Sequence, residues 1–286
     1  MIISKITGGL GNQMFQYAIA KSIAQKRADK FKLDISFYPK QSLRKYELNY
    51  FNIEENIATN NEIIKLAGDE NFWFKLRKKL GLNPTRAKSY FLEKETAVFD
   101  KKVFDYEKNI YLDGYWQDEE YFRDIREELL KDFTLKNNIS IEAKKYLKDI
   151  RNSQSVSVHV RRGDYIQNTH TNSVHGTCDL DYYQKAIKCI HEKVKSPNFY
   201  IFSDDIIWCK ENFDFLENKV FVDDTKSAFD DLELMRNCKH NIIANSTFSW
   251  WAAWLNTYEK KIVIGPKIWW NSRVDKNLAL DRWVKI

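Results

Sequence analysis

From residue 154 onward the sequence alternates between two periodicities, and this alternation restricts the fold more than any other feature. Short apolar runs at 156–160, 199–202, 220–222, 242–244 and 262–264 are separated by stretches of helical spacing that begin near Asp181, Ile206, Ala228 and Phe248. Short apolar strands alternating with helices, which act as crossovers, predict a parallel sheet with helices on either side. The chain opens in the same way. A strand over 2–6 leads into the loop Gly8-Gly9-Leu10-Gly11, then a helix whose Met14, Phe15, Ala18, Ile19 and Ile23 share a face, then a strand over 31–35. Residues 40–110 carry scattered aromatics without a repeat, after which Asp118 is placed to cap a helix striped by Tyr121, Phe122, Ile125, Leu129 and Phe133. A length of 286 residues suits two compact α/β domains, and we set them at 1–150 and 151–286.

In open parallel sheets ligands collect at the carboxyl ends of the strands. The residues just past the five later strands are Arg161-Arg162-Gly163-Asp164, Ser203-Asp204-Asp205, Asp223-Asp224, Asn245-Ser246-Thr247 and Gly265-Pro266. Helix capping accounts for the Asp, Ser and Asn residues among them but not for the arginine pair. Strand alternation turns His159 and Arg161 to one side, which sets an imidazole beside a guanidinium. The planar fork of a guanidinium matches phosphate oxygens, and Asp164 is the neighbour available to hold it. Asn245-Ser246-Thr247-Phe248 falls where a buried strand becomes a helix, so free backbone N–H groups and the helix dipole offer a second anion site there. The loop at Gly8–Gly11 lacks the G-x-G-x-x-G spacing; its glycines let the backbone approach a ligand, with Asn12 as a side-chain donor.

Composition narrows the alternatives. A net charge of +6 and a pI near 8.9 favour an anionic partner without distinguishing nucleotide, nucleic acid or acidic lipid. Nucleic-acid binding would call for a basic stripe interleaved with stacking residues, whereas the arginines here stand beside aspartates at strand ends. A lectin-like module is the reading that the tryptophans alone would support. Asp179-Leu180-Asp181 has the D-x-D spacing of a metal-dependent nucleotide-sugar site, yet it precedes a helix containing Tyr182, Tyr183, Ala186, Ile187 and Ile190, where capping suffices. Cys178, Cys189, Cys209 and Cys238 show no C-x-x-C pairing and read as reduced core residues. No run of about 18 apolar residues is present, and the opening apolar stretch is too short for a signal peptide, so a cytoplasmic location is expected. The segment Phe72–Leu80 reads as an exposed basic helix resting its aromatic side on the core; peripheral contact with the inner face of the membrane is its alternative reading.

Taken together, GGLGNQMFQYA (8–18), HVRRGDY (159–165), DLELM (231–235) and NSTFSWWAAWLN (245–256) resemble the bacterial α-1,2-fucosyltransferases of glycosyltransferase family 11. The H-x-R-x-x-D and S-T-F-S elements are shared with α-1,6- and protein O-fucosyltransferases. The resemblance runs in order from residue 3 to about 270. It implies a GT-B architecture of two Rossmann-like domains with the cleft between them. It also implies GDP-fucose as donor, a galactose-containing glycan as acceptor, inversion at the anomeric carbon, no metal, and a place in O-antigen, lipopolysaccharide or oligosaccharide synthesis. Transfer of another GDP-6-deoxyhexose is the alternative.

Carried over by position, Arg161, His159 and Asp164 are the catalytic residues, with Arg161 on the β-phosphate. Gly9, Gly11, Asn12, His159, Arg161, Asp231, Ser246, Thr247 and Phe248 bind the donor, and Tyr115, Trp116 and Gln117 the acceptor. Asp231 suits guanine, since a carboxylate accepts both the ring N1–H and the 2-amino group. Where the α-1,6 relatives carry a glutamate base this sequence has Thr169. An inverting displacement still needs a base, and Asp118, Asp164, His170 and His175 stay open for that role.

Overall fold

The computed structural model describes residues 1–69, 72–81, 86–106, 108–163, 173–174, 176–273 and 276–286. The chain divides into two compact units, Met1–Lys136 and Asn137–Ile286. The division comes before residue 150 because the helix Ile141–Arg151 packs against Ala228–Asn237 of the second unit.

The first unit holds β1 (Ile2–Lys5), α1 (Leu10–Arg27), β2 (Phe31–Asp34), α2 (Asn60–Ala67), α3 (Phe72–Lys79), β3 (Tyr90–Leu92), β4 (Ile110–Asp113) and α4 (Arg126–Asp132). Its four strands run parallel in the order β2-β1-β4-β3. The chain moves outward from β1 to β2 and then returns to the other side of β1, so the strand order reverses between β1 and β4. Crevices at such reversals are where this class of sheet binds ligands. The eighteen-residue α1 is buried along most of its length, from Leu10 to Ala24. Helix α2 starts in a reciprocal capping box between Thr59 and Glu62.

The helix expected after Asp118 is instead three short pieces. Asp118 caps a 3-10 turn at Glu119–Tyr121, a second turn spans Arg123–Ile125, and only then does α4 begin. Tyr121, Phe122, Ile125, Leu129 and Phe133 are all buried, so the apolar stripe exists without a continuous helix behind it. At α3, Phe74 is buried beneath the guanidinium of Arg86, 4.2 Å from its ring centre.

The second unit is α5 (Ile141–Arg151), β5 (Ser155–Val160), α6 (Leu180–Lys193), β6 (Asn198–Ser203), α7 (Ile206–Asn212), β7 (Lys219–Phe221), α8 (Ala228–Asn237), β8 (His240–Ile242), α9 (Thr247–Leu255), β9 (Val263–Gly265) and β10 (Val284–Lys285). All six strands are parallel, ordered β10-β9-β8-β5-β6-β7. Read from β5, the chain builds outward through β6 and β7, then crosses back to build β8, β9 and β10. That is the doubly wound arrangement of dinucleotide-binding folds, and its switch point lies between β5 and β8. Strand β5 is buried at every position, including the polar Ser155, Ser157 and His159.

Helix α9 is apolar all round and therefore lies inside. Trp250, Trp251 and Trp254 are at most 1% exposed, and Trp283 closes over Trp250 at 5.7 Å between rings. Its core position gives the start of α9 a fixed place at the end of β8. Asp179 caps α6 by accepting from the Tyr182 N–H, and Asp181 pairs with Lys185. Cys178, Cys209 and Cys238 are buried and Cys189 half-buried, all as free thiols. Among the described residues no helix is long and apolar enough to cross a membrane.

Candidate nucleotide and sugar sites

At the switch point of the second unit, the register pairs Val158 with Ile242 and Val160 with Ser203. One step beyond the strand ends, Arg161 therefore comes beside Asp204, and on the other flank the chain leaving β8 has reached Asn245 and Ser246. Arg161 Nη1 lies 3.1 Å from Asp204 Oδ2, with both side chains about three-quarters covered. The other Asp204 oxygen accepts the backbone N–H of Arg162 at 2.9 Å. One carboxylate from the end of β6 thus holds the end of β5 at two points and points the guanidinium of Arg161. This is the holding role that the sequence reading gives to Asp164, a residue outside the described part of the chain, as are Thr169, His170 and His175.

Arg162 takes the other direction. Its guanidinium covers the Trp208 ring at 3.8 Å and approaches Asp205 at 3.6 Å, so α7 accounts for it. His159 is buried, its ring 5.7 Å from that of Phe248 at the start of α9. Burial, reinforced by the positive charge of Arg161, brings its pKa down to about 4, which leaves a neutral imidazole at physiological pH. Its carbonyl accepts from Tyr183, while the ring Nδ1 is buried without a hydrogen-bond partner among the described residues. Orphaned buried polar atoms are rare, and one at a strand end facing an anion-binding helix start suits a ligand.

Ser246 is the N-cap of α9 but its hydroxyl makes no capping hydrogen bond, so the first amides of the helix are not closed off by it. Ser246 is buried, and Thr247 and Phe248 are half-buried. Asn245 plays a structural part, since its amide donates to the carbonyls of Gly176 and Trp269 and pins two flanking segments to the strand end.

A cavity of about 280 Å³ opens on the β6–β7 side of this point, lined among others by Ser203, Val222, Thr225, Lys226 and Asp231. Asp231 stands in the first turn of α8, and Thr225 donates to it at 2.7 Å. Burial raises its pKa to about 6, the Thr225 hydrogen bond offsetting part of the effect. The second unit therefore offers a guanidinium and a helix start for an anion, with a carboxylate-bearing cavity to one side. Sequence inspection marks Asp204 as a strand-end residue but not as the holder of Arg161, and it misses Thr225 and Lys226.

The switch point of the first unit gathers a second cluster. Gly8 has φ +77°, a conformation that favours glycine, and a Cβ there would meet Asn12 Nδ2 at 2.8 Å. The conformational demand thus falls on Gly8; Gly9 is the N-cap of α1 and Gly11 lies within its first turn. Asn12 accepts from Gln117 at 2.8 Å, joining the glycine loop after β1 to the loop after β4. Trp116 is fully buried and so presents no face to a sugar, while Tyr115 is 42% exposed. The aromatic platform expected of the pair therefore reduces to Tyr115. Arg44 lies over Gly9, about 3.8 Å from where a Cβ would be, a placement the sequence does not suggest. Asp118 is occupied in accepting the backbone N–H of Glu120, and burial raises its pKa to about 6.

Comparison with known proteins gives the same family from end to end. The chain matches Glycosyl transferase family 11 over residues 1–286. It is 34% identical over 297 residues to an alpha-1,2-colitosyltransferase of Escherichia coli, covering 100% of this chain and 99% of that protein. It is also 34% identical to the Escherichia coli O-antigen biosynthesis glycosyltransferase WbnK, covering 99% of each. Among solved structures, POFUT1 in complex with GDP-fucose aligns with a TM-score of 0.51 at 13% identity, over 91% of this chain and 95% of that one. An Arabidopsis thaliana FUT1 mutant in complex with GDP aligns at 0.51 and 11%, over 92% and 69%. At such identities these two structures speak to the shared fold.

Proposed function

Because the chain belongs to glycosyl transferase family 11, we propose that it transfers L-fucose from GDP-fucose to the 2-hydroxyl of a galactoside, inverting the anomeric carbon, in the synthesis of a bacterial surface glycan. The observation that carries this reading is the joint placement of Arg161, the start of α9 and Asp231 around the switch point of the second unit. Departure of GDP builds negative charge on the β-phosphate. A guanidinium held by Asp204 and the amides of α9 supply the opposing charge, so no divalent cation is needed for the leaving group. Asp231 accepts the N1–H and 2-amino donors of guanine. Tyr115 and Gln117 serve the acceptor, while Gly9, Gly11 and Asn12 of the glycine loop approach the donor. The 34% identity to an alpha-1,2-colitosyltransferase supports a second reading of the donor sugar alone, with GDP-colitose in place of GDP-fucose.

Thermal shift with free nucleotides tests the donor assignment. GDP should raise the melting temperature markedly, while UDP and ADP at equal concentration should leave it nearly unchanged, because only guanine presents two adjacent donors to Asp231. Equal shifts from UDP and GDP would remove the guanine assignment.

A further inference from the structure

The loop Gly114–Gln117 after β4 is held in an unfavourable shape by a residue from the neighbouring strand. Glu93, one position beyond β3, accepts the backbone N–H groups of Tyr115 at 2.7 Å and Trp116 at 3.0 Å. Both are charge-assisted bonds from consecutive amides, which only a turned backbone can aim at one carboxylate. Trp116 accordingly adopts φ +57°, a left-handed conformation that is unfavourable for a bulky residue. Its indole is fully buried and the ring N–H has no hydrogen-bond partner among the described residues. At Gly114 a Cβ would collide with the Cβ of Glu93, so the two segments touch where only glycine fits. The remaining ties lead to the glycine-loop side: Gln16 donates to the Gly114 carbonyl at 3.0 Å, and Gln117 to Asn12 at 2.8 Å.

A strained loop persists where its surroundings over-determine it, and here they do so at the carboxyl ends of β1 and β4. The side chains turned inward are Trp116 and Gln117, the latter tied to Asn12, and the one left exposed is Tyr115. We propose that Glu93 is a positioning residue for transfer: by gripping two successive amides it turns Trp116 into the core and fixes Tyr115 against the acceptor. This rests on the reading of the first unit as the acceptor side.

Glu93→Gln retains the side-chain length but has one acceptor oxygen for two amides, and Glu93→Ala has none. Both should raise the acceptor KM or lower kcat, by about tenfold for Glu93→Ala and less for Glu93→Gln, because small misplacements of binding groups are costly in rate. GDP affinity should stay within about twofold of the parent, since the residues assigned to its base and β-phosphate, Asp231, Arg161 and the start of α9, lie in the other unit. Tyr115→Ala should impair acceptor kinetics by itself, and adding Glu93→Gln to it should add little, because the two act through one loop. If the Glu93 variants melt earlier yet keep the parental acceptor KM and kcat, while Tyr115→Ala is impaired, Glu93 merely stabilises the fold and the proposal fails. Unchanged kinetics in Tyr115→Ala would instead overturn the acceptor-side reading, and the Glu93 proposal with it. Should Glu93→Ala not fold, Glu93→Gln decides the matter.

Discussion

Arg161→Lys is expected to fold with a melting temperature close to that of the parent and to lose at least about a hundredfold in kcat, since one preorganised donor aimed at developing charge commonly carries that much. The lysine keeps the positive charge. It loses the planar fork that Asp204 holds in place and that the proposed mechanism turns toward the β-phosphate. Because charge on the β-phosphate grows as the bond to the sugar breaks, the loss falls on the transition state, so kcat should suffer more than GDP affinity. Arg162→Lys gives the contrast. Its side chain is taken up by Trp208 and Asp205, and the expected outcome is a lower melting temperature with modest change in turnover. Near-normal turnover in Arg161→Lys would show that this residue does not serve the leaving group.

Asp231 gives a second large effect, and one with a pH signature. Charge-assisted hydrogen bonds contribute about 1.5–3 kcal/mol each, so Asp231→Asn should weaken GDP binding at a pH of about 7.5 by on the order of tenfold to a hundredfold. The pKa of Asp231 in the fold is raised by burial to about 6 from 3.8. Without nucleotide, its contribution to stability is therefore fully present below about pH 4 and lost as pH rises through about 6. Nucleotide reverses the preference, because the ionised form accepts from guanine. The ratio of parent to Asp231→Asn affinity should thus be large above about pH 7 and shrink toward one near about pH 5. Taking this ratio cancels the titration of GDP itself. His159, held near 4, stays neutral across the window and does not contribute. A ratio that does not change with pH would mean that the Asp231 carboxylate does not meet the base.

These sites are legible where a strand carries a clear pattern of its own. In β5 the valines at 156, 158 and 160 alternate with Ser155, Ser157 and His159, which marks the strand and its end, and Arg161 falls one residue beyond it. Strands β3 and β4 are not legible in this way. Tyr90–Leu92 is three residues long with no buried position, and Ile110–Asp113, although buried at its first three positions against α2, is only four residues long and lies in the chain between 3-10 turns that give it no period. What a single sequence cannot supply is the order of strands. Arg161 reaches Asp204 only because β6 lies next to β5 with Val160 opposite Ser203, and nothing local to residue 161 says so. Asp164, closer in sequence, is the natural partner to expect on that ground alone. The same holds for Glu93, which meets Tyr115 and Trp116 across the β3–β4 pairing. Trp116 shows a different limit. Its type suggests a stacking surface, but one left-handed dihedral turns it into the core and leaves Tyr115 on the outside.

The proposed activity is tested most directly by transfer itself. The purified chain would be incubated with GDP-fucose, and in parallel with GDP-colitose and GDP-mannose, together with a galactose-terminated oligosaccharide and excess EDTA, and the product linkage read by NMR. The expected result is release of one GDP per sugar transferred, an inverted α-linkage to O2 of the galactose, and a rate unaffected by the chelator. Contradiction would come from any of three results: no transfer from these GDP-sugars, retention at the anomeric carbon, or activity lost in EDTA and restored by Mg²⁺ or Mn²⁺.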